Sequence, residues 1–127
     1  MRALLDTHAF LWALAGDARM SDHAREVFAG GADLLLSIAS VWEILIKVQS
    51  GKLVFPQPAG PYVLKRMAEN SIEVLPIRLD HLLAFESLPM HHRDPFDRML
   101  IAQSLEEKLP IITADRVFGR YAVEVIW

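Results

Sequence analysis

The sequence contains no cysteine, no long apolar run and no glycine-rich phosphate loop, and each absence removes a class of function. Without cysteine there is no thiolate zinc site, iron–sulfur cluster, disulfide framework or thiol nucleophile. No apolar stretch approaches the length of a membrane-spanning helix. Because a Walker-type loop and a Gly-x-Ser-x-Gly elbow are missing, nucleoside-triphosphate hydrolysis and serine-based covalent catalysis are disfavoured.

The size and composition suit one folded domain. The chain has 127 residues, of which 53% are hydrophobic, enough to bury a core without disulfides. We find no repeat and no linker, so a single domain over residues 1–127 is expected. Asp6 and His8 interrupt the apolar stretch at the N-terminus, which disfavours a signal peptide. Together with the absence of cysteine, this favours a cytoplasmic location.

Strand and helix patterns alternate along the chain. Short apolar runs predict strands at residues 2–6, 34–38, 72–76, 111–113 and 123–127. Helices are predicted at residues 8–14, 21–29, 40–50, 62–69, 80–88 and 94–108, with Ser40, Asp80 and Asp94 among the expected caps. This alternation predicts an α/β fold in which helices flank a short, mostly parallel sheet on both faces.

Four acidic residues fall just after a predicted strand or in the first turn of a predicted helix: Asp6, Glu43, Asp97 and Asp115. In an open α/β sheet these places share one edge, at the carboxyl ends of the strands, where ligands bind. Carboxylates gathered there repel one another unless a cation joins them. Carboxylate oxygens suit Mg²⁺ or Mn²⁺, whereas zinc prefers histidine or cysteine. The set therefore predicts a divalent-metal site and phosphate chemistry.

Each acid also has a structural alternative. Asp6 and Asp115 can cap the helix or turn that follows them. Glu43 stands three residues after Ser40, as in a capping box, and Asp97 lies in a first turn where the helix dipole favours an anion. A capping role does not exclude a ligand role. The coincidence of four acids at one edge is what favours the metal site.

The overall charge argues only weakly against a phosphate-containing substrate. The net charge is −3, but if four of the 16 acids are ligands, 12 acids face 13 basic residues. Lys47 stands one helical turn after Glu43 and predicts an ion pair. Arg93, Arg98 and Arg116 flank the later acids, where they can hold a phosphate backbone or neutralise the acids; we rank phosphate contact first.

The histidines and aromatic residues give weaker signals. His91 and His92 are adjacent in a predicted loop and no histidine pair has i, i+4 spacing, so no histidine metal site is predicted. His23 and His81 are expected to be solvated, and the role of His8, close to the first acid, stays open. Four aromatic residues beside the acids are expected to lie mostly in the core: Phe10, Trp12, Trp42 and Phe96.

Four segments carry a family resemblance. Residues 4–8 (LLDTH), 40–44 (SVWEI), 94–98 (DPFDR) and 113–115 (TAD) resemble the motifs of PIN-domain ribonucleases, and above all of the VapC-type toxins of toxin–antitoxin pairs. The resemblance extends over essentially the whole chain. Each motif alone is weak, whereas four in this order and spacing are specific.

The resemblance implies a three-layer α/β sandwich and an endoribonuclease that uses Mg²⁺ or Mn²⁺ to activate a water against RNA. Asp6, Glu43, Asp97 and Asp115 match the family's acidic residues, and Thr113 matches a polar residue beside the last acid. It also implies a small antitoxin partner that blocks the site, and a homodimer. Asp94 is an additional acid, with a cap or a secondary metal role open to it.

Two alternatives remain at this stage. One is a catalytically silent PIN-like module that binds RNA or protein as a scaffold. Because a degenerate member would be expected to lose some of its acids, the presence of all four favours the enzyme. The other is an enzyme of the same type that cuts DNA.

Overall fold

Five parallel strands form the centre of the protein, which the computed structural model describes over all residues, Met1–Trp127. The strands are β1 (Arg2–Leu5), β2 (Asp33–Ser37), β3 (Glu73–Leu75), β4 (Ile111–Ile112) and β5 (Val125–Ile126). Their order across the sheet is β3-β2-β1-β4-β5, and every neighbouring pair is parallel. The predicted parallel sheet is confirmed.

Six α-helices connect and cover the strands: α1 (Thr7–Ala15), α2 (Asp22–Ala29), α3 (Ile38–Gln49), α4 (Ala59–Glu69), α5 (Leu79–Glu86) and α6 (Pro95–Glu107). A 3₁₀ helix follows β4 at Arg116–Arg120. All six predicted helices exist, although some begin up to three residues earlier than predicted. None of them has both the length and the apolar character needed to cross a membrane.

A buried apolar cluster lies on each face of the sheet. Ala3 and Leu5 of β1 belong to one cluster, with Phe10 and Ile44 among its members. Leu4 points the other way, into a cluster with Leu100, Ile101, Ile111 and Phe118. Successive side chains of a strand alternate between faces, so a strand covered on both sides reads as a continuous apolar run. The predicted three-layer sandwich is confirmed.

The cap of α3 was predicted wrongly. Its N-cap is Ser37, the last residue of β2, whose side chain accepts a hydrogen bond from the Ala39 amide at 3.0 Å. The chain thus passes from strand to helix without a loop. Ser40 is buried instead, and its Oγ accepts a 2.9 Å hydrogen bond from Thr7 Oγ1 that joins α3 to α1.

The start of α5 also differs from the prediction, because Arg78 and not Asp80 is its N-cap. The Arg78 amide donates to Nδ1 of His81. His81 is fully buried, so the prediction that it is solvated is wrong. His81 Nε2 lies 3.0 Å from Glu107 Oε2 on α6. Asp80 and Glu107 both pair with the Arg78 guanidinium, so this group of charged residues fastens α5 to α6.

Candidate active site

The carboxyl ends of β1 and β4 lie side by side, and the first and last acids follow them directly. The Asp6 amide donates to the Ile112 carbonyl at 3.0 Å, which extends the strand ladder by one residue. Thr113 Oγ1 donates to Asp6 Oδ2 at 2.5 Å, and the Asp115 amide donates to Thr113 Oγ1 at 3.0 Å. One threonine therefore connects two acids that are far apart in sequence.

Asp6 is both a helix cap and a buried carboxyl group. Its Oδ1 accepts a 2.7 Å hydrogen bond from the Ala9 amide, as the N-cap of α1. The residue is only 4% exposed, and this burial raises the pKa of Asp6, although the bonds from Thr113 and Ala9 act in the opposite direction. The capping alternative is thus confirmed for Asp6 without removing it from the acidic cluster.

Glu43 is not part of a capping box, because α3 begins at Ile38 and Glu43 is its sixth residue. The side chain is buried and points to the same edge as the other acids. Its Oε2 lies 3.1 Å from Lys47 Nζ, which confirms the predicted ion pair. Its Oε1 is buried with no hydrogen-bond donor. An unpartnered, buried carboxylate oxygen is costly, and a cation would satisfy it.

Asp97 lies in the first turn of α6, yet it does not cap the helix. That role belongs to Asp94, whose Oδ1 accepts from the amides of Phe96 and Asp97. Asp97 accepts no backbone hydrogen bond, and its polar partner is His92, with Nε2 3.2 Å from Oδ2. Burial is the main cause that raises the pKa of Asp97 to about 8, and the negative charges of Asp94, Asp6, Glu43 and Asp115 contribute to the same rise.

Asp115 caps the 3₁₀ helix, as its structural alternative predicted. Its Oδ1 accepts from the Val117 amide at 2.9 Å. Its Oδ2 lies 2.8 Å from Nε2 of His92. The side chain is the most accessible of the four acids, with 36% exposed, and lies at the edge of an open depression lined by Asp6, His8, Trp12, Arg19, Ala114 and Asp115. His8, left open by the sequence, therefore borders the site.

His92 is the site residue that the sequence analysis missed. Its Nε2 lies between Asp97 Oδ2 and Asp115 Oδ2. The potential metal-ligand atoms of His92, Asp97 and Asp115 all lie within 4.8 Å of one another. The search for histidine pairs at helical spacing overlooked a loop residue whose partners come from α6 and from the end of β4. The available signal was its position two residues before the helix cap Asp94.

The predicted phosphate-binding arginines separate into two kinds. Arg98 is only 6% exposed and donates to the backbone carbonyls of Pro89 and His92, so the prediction that it contacts phosphate is wrong. Arg93 and Arg116 are exposed and free to meet a substrate. Of the aromatic residues, Phe10 is buried, whereas Trp42 is 59% exposed and contradicts the expected core position.

The donor set fits a hard divalent cation. Its potential ligands are carboxylate oxygens, one of which, Glu43 Oε1, is buried without a donor. Burial and the charges of the neighbouring acids raise the pKa of Asp97, so ionising this carboxyl group without a cation is costly. Oxygen ligands of this kind suit Mg²⁺ or Mn²⁺.

Asp97 should make the metal-free protein less stable as the pH rises. Its carboxyl group titrates near 3.8 in an unfolded chain and at about 8 in the folded protein. Between these values the folded state binds more protons than the unfolded state, so the free energy of unfolding falls with rising pH. Asp97→Asn removes this loss, and each pKa unit corresponds to about 1.4 kcal/mol. We expect the variant to exceed the wild type by a few kcal/mol above pH 8 in EDTA, measured by urea unfolding.

The same variant should gain less stability from added Mn²⁺, because binding to the folded state stabilises by mass action and one ligand is lost. Asp80→Asn is the matched control, since Asp80 is an acid in the first turn of α5 outside the cluster. We expect it to melt slightly below the wild type and to respond normally to Mn²⁺. If Asp97→Asn behaved like this control, Asp97 would be a helix-dipole residue and not a ligand.

Comparison with known proteins agrees with this architecture. A protein-family model described as PIN domain matches residues 3–124. No curated protein sequence is significantly similar to the chain.

Solved structures are similar over almost the full length. VapBC2 from Rickettsia felis bound to a promoter DNA fragment matches with a TM-score of 0.73 at 13% identity, covering 98% of this chain and 97% of that one. A toxin–antitoxin complex from Klebsiella pneumoniae matches with a TM-score of 0.68 at 16% identity, covering 98% and 96%. FitAcB from Neisseria gonorrhoeae matches with a TM-score of 0.67 at 18% identity and the same coverage. At such identities these structures establish a shared fold, and with the family model over nearly the whole chain, this protein belongs to the PIN domain family.

Proposed function

We propose that this chain is a divalent-metal-dependent endoribonuclease that acts as the toxin of a toxin–antitoxin pair. The observation that carries the proposal is the convergence of Asp6, Glu43, Asp97 and Asp115 on one sheet edge, with a buried Glu43 oxygen that has no donor and a strongly raised pKa at Asp97. Fold similarity to solved toxin–antitoxin complexes supports the biological role. A cytoplasmic location, where such an enzyme would meet cellular RNA, is part of the proposal.

The four carboxylates would hold Mg²⁺ or Mn²⁺. A divalent ion at this edge supplies Lewis-acid chemistry, polarising a phosphoryl oxygen and activating a water for attack. The protein fixes the carboxylates beforehand: Thr113 holds Asp6, Lys47 holds one oxygen of Glu43, and the 3₁₀ helix holds Asp115. Little reorganisation is then needed when the substrate arrives.

The substrate would enter from the open depression beside Asp115. Arg19 lines this depression, and Arg93 and Arg116 are exposed on the segments that carry Asp97 and Asp115. The Arg19 guanidinium is already paired with Asp17, whereas those of Arg93 and Arg116 are suited to hold the RNA phosphates on either side of the scissile bond. Sequence-specific recognition of RNA mostly uses unpaired bases, so single-stranded RNA is the proposed substrate.

An antitoxin could reach the acidic site along an adjoining apolar groove. The groove runs between α1 and α2 and is lined by Trp12, Ala13, Gly16, Met20, Arg25, Phe28 and Ala29. Trp12 also lines the acidic depression, so the two concave surfaces are neighbours on either side of this residue. An amphipathic segment with its apolar face in the groove would extend over the acids and exclude RNA.

A second apolar surface suits a homodimer. Trp42 of α3 and Leu82 of α5 are 59% and 48% exposed, and both line a groove formed with Phe85, Phe96 and Met99. Ile38 and Ile46, one helical turn on either side of Trp42, are exposed as well. An apolar area of this kind is characteristic of an oligomer interface.

The enzymatic proposal predicts cleavage of single-stranded RNA in Mg²⁺ or Mn²⁺ and none in EDTA, measured on a labelled oligonucleotide. Asp6→Asn and Asp97→Asn should each reduce the rate by at least about 10²-fold, as expected when a group that stabilises transition-state charge is lost. Asp80→Asn should cleave normally.

A DNA strand of the same sequence tests the substrate class. Cleavage that survives EDTA unchanged would exclude the metal mechanism, and a wild type that binds RNA without cutting it would indicate the silent module.

The toxin proposal predicts that expression of the wild-type protein arrests growth and that expression of Asp6→Asn does not. Co-expression of a small DNA-binding protein encoded next to this gene should restore growth. Because the proposed antitoxin covers the acidic site itself, the purified toxin–antitoxin complex should have no ribonuclease activity. If the active wild type does not slow growth and no such gene is present, the chain is a housekeeping nuclease and not a toxin.

The dimer proposal predicts that Trp42→Glu or Leu82→Glu converts a dimer into a monomer, since either change places a charge in the apolar groove. Leu64→Glu is the matched control, because Leu64 is 53% exposed on α4, outside this groove. Light scattering after size-exclusion chromatography measures the mass. A wild type that is monomeric at high concentration contradicts the proposal.

A further inference from the structure

His92 is held more firmly than its loop position suggests. Its amide donates to the Tyr121 hydroxyl at 2.8 Å, and that hydroxyl in turn donates to the Pro89 carbonyl at 2.8 Å. Its carbonyl accepts from the buried Arg98 guanidinium at 3.4 Å. The imidazole ring packs edge-on against Phe118 with 5.6 Å between ring centroids. The backbone and the ring are therefore both fixed before any ligand binds.

The hydrogen bonds of the ring define its tautomer. Nδ1 lies 3.1 Å from the Asp94 amide nitrogen, and because an amide N–H can only donate, Nδ1 must be the acceptor. In a neutral imidazole the proton then resides on Nε2, which faces Asp97 Oδ2 at 3.2 Å and Asp115 Oδ2 at 2.8 Å. The Nε2–H group is thus shared between two of the four acids.

This tautomer prevents His92 from acting as a metal ligand. A histidine nitrogen binds a metal through a lone pair, and the Nε2 lone pair is engaged by the proton. Moving the proton to Nδ1 would direct two N–H groups at each other and leave the Asp94 amide, at the start of α6, without its acceptor. Asp97 lies in the first turn of the same helix. The N-terminus of α6 therefore fixes both Asp97 and the His92 ring that faces it.

We propose that His92 is a positioning residue, which donates Nε2–H to Asp97 and Asp115 and so holds the two carboxylates in the arrangement that binds the cation. This inference rests on the proposed metal site and assigns a role to a side chain outside the four acids. The donor draws together two carboxylates that would otherwise repel each other. Outer hydrogen bonds of this kind orient metal ligands, and their loss weakens metal binding by about 10–100-fold.

The test compares Mn²⁺ binding, measured by titration calorimetry, in three variants. His92→Phe keeps a ring against Phe118 but removes both nitrogens, and should raise the Mn²⁺ dissociation constant by about 10–100-fold. His92→Gln keeps an N–H donor and should recover most of that loss. His91→Phe is the matched control, since the exposed neighbouring imidazole packs on Tyr121 and contacts no acid; it should bind as the wild type does.

Pulsed electron paramagnetic resonance of the Mn²⁺ complex separates positioning from coordination. We expect no ¹⁴N coupling from a directly bound imidazole in the wild type. Such a coupling, if lost in His92→Gln and kept in His91→Phe, would make His92 a ligand and overturn the inference. Unchanged or tighter Mn²⁺ binding by His92→Phe would overturn it as well, while the metal site itself would stand. Failure of the wild type to bind Mn²⁺ would remove the proposed function together with this inference.

Discussion

Repulsion among carboxylates buried at one sheet edge is the constraint on which the arrangement around this site depends. The parallel order of the strands places the ends of β1 and β4 side by side, and α3 and α6 bring Glu43 and Asp97 to the same edge. The hydrogen bond that Thr113 donates to Asp6 and the ion pair between Glu43 and Lys47 offset part of the repulsion. Burial and the remaining repulsion together raise the pKa of Asp97 to about 8, so ionising Asp97 in the metal-free protein carries a cost that a cation would reduce.

The fold was largely predictable because its signals are local and agree with one another. Continuous apolar runs identified strands covered on both faces, and Asp94-Pro95 correctly marked the start of α6. The prediction errors arose where contacts between distant parts of the chain determine which residue caps a helix or which side chain is buried. Ser40 was predicted as the cap of α3, but β2 ends at Ser37, which therefore caps the helix instead. His81 became a buried hydrogen-bonded residue because Glu107, on another helix, supplies its partner.

The site was predictable to the extent that it follows from strand order. The acids could be assigned to one edge because carboxyl ends of parallel strands coincide. His92 could not, because its contacts depend on how a loop is anchored by Tyr121 and Arg98. Arg98 was misjudged for the same reason, since a charged residue beside an acid can hold backbone carbonyls instead of a substrate. A residue that is close to an acid in sequence is expected to lie near it in the fold. The direction of its side chain, however, depends on packing.

Two of the four acids also cap the N-terminus of a helix. This double role explains how a short chain holds its site in place. Asp6 and Asp115 each use one oxygen to cap a helix and direct the other toward the cluster. Replacement by alanine would therefore remove a cap and a charge together, and a loss of activity could reflect a displaced helix end. Asparagine caps nearly as well as aspartate and lacks the charge. Substitution by the amide is thus the change that separates the electrostatic role of these residues from their structural one.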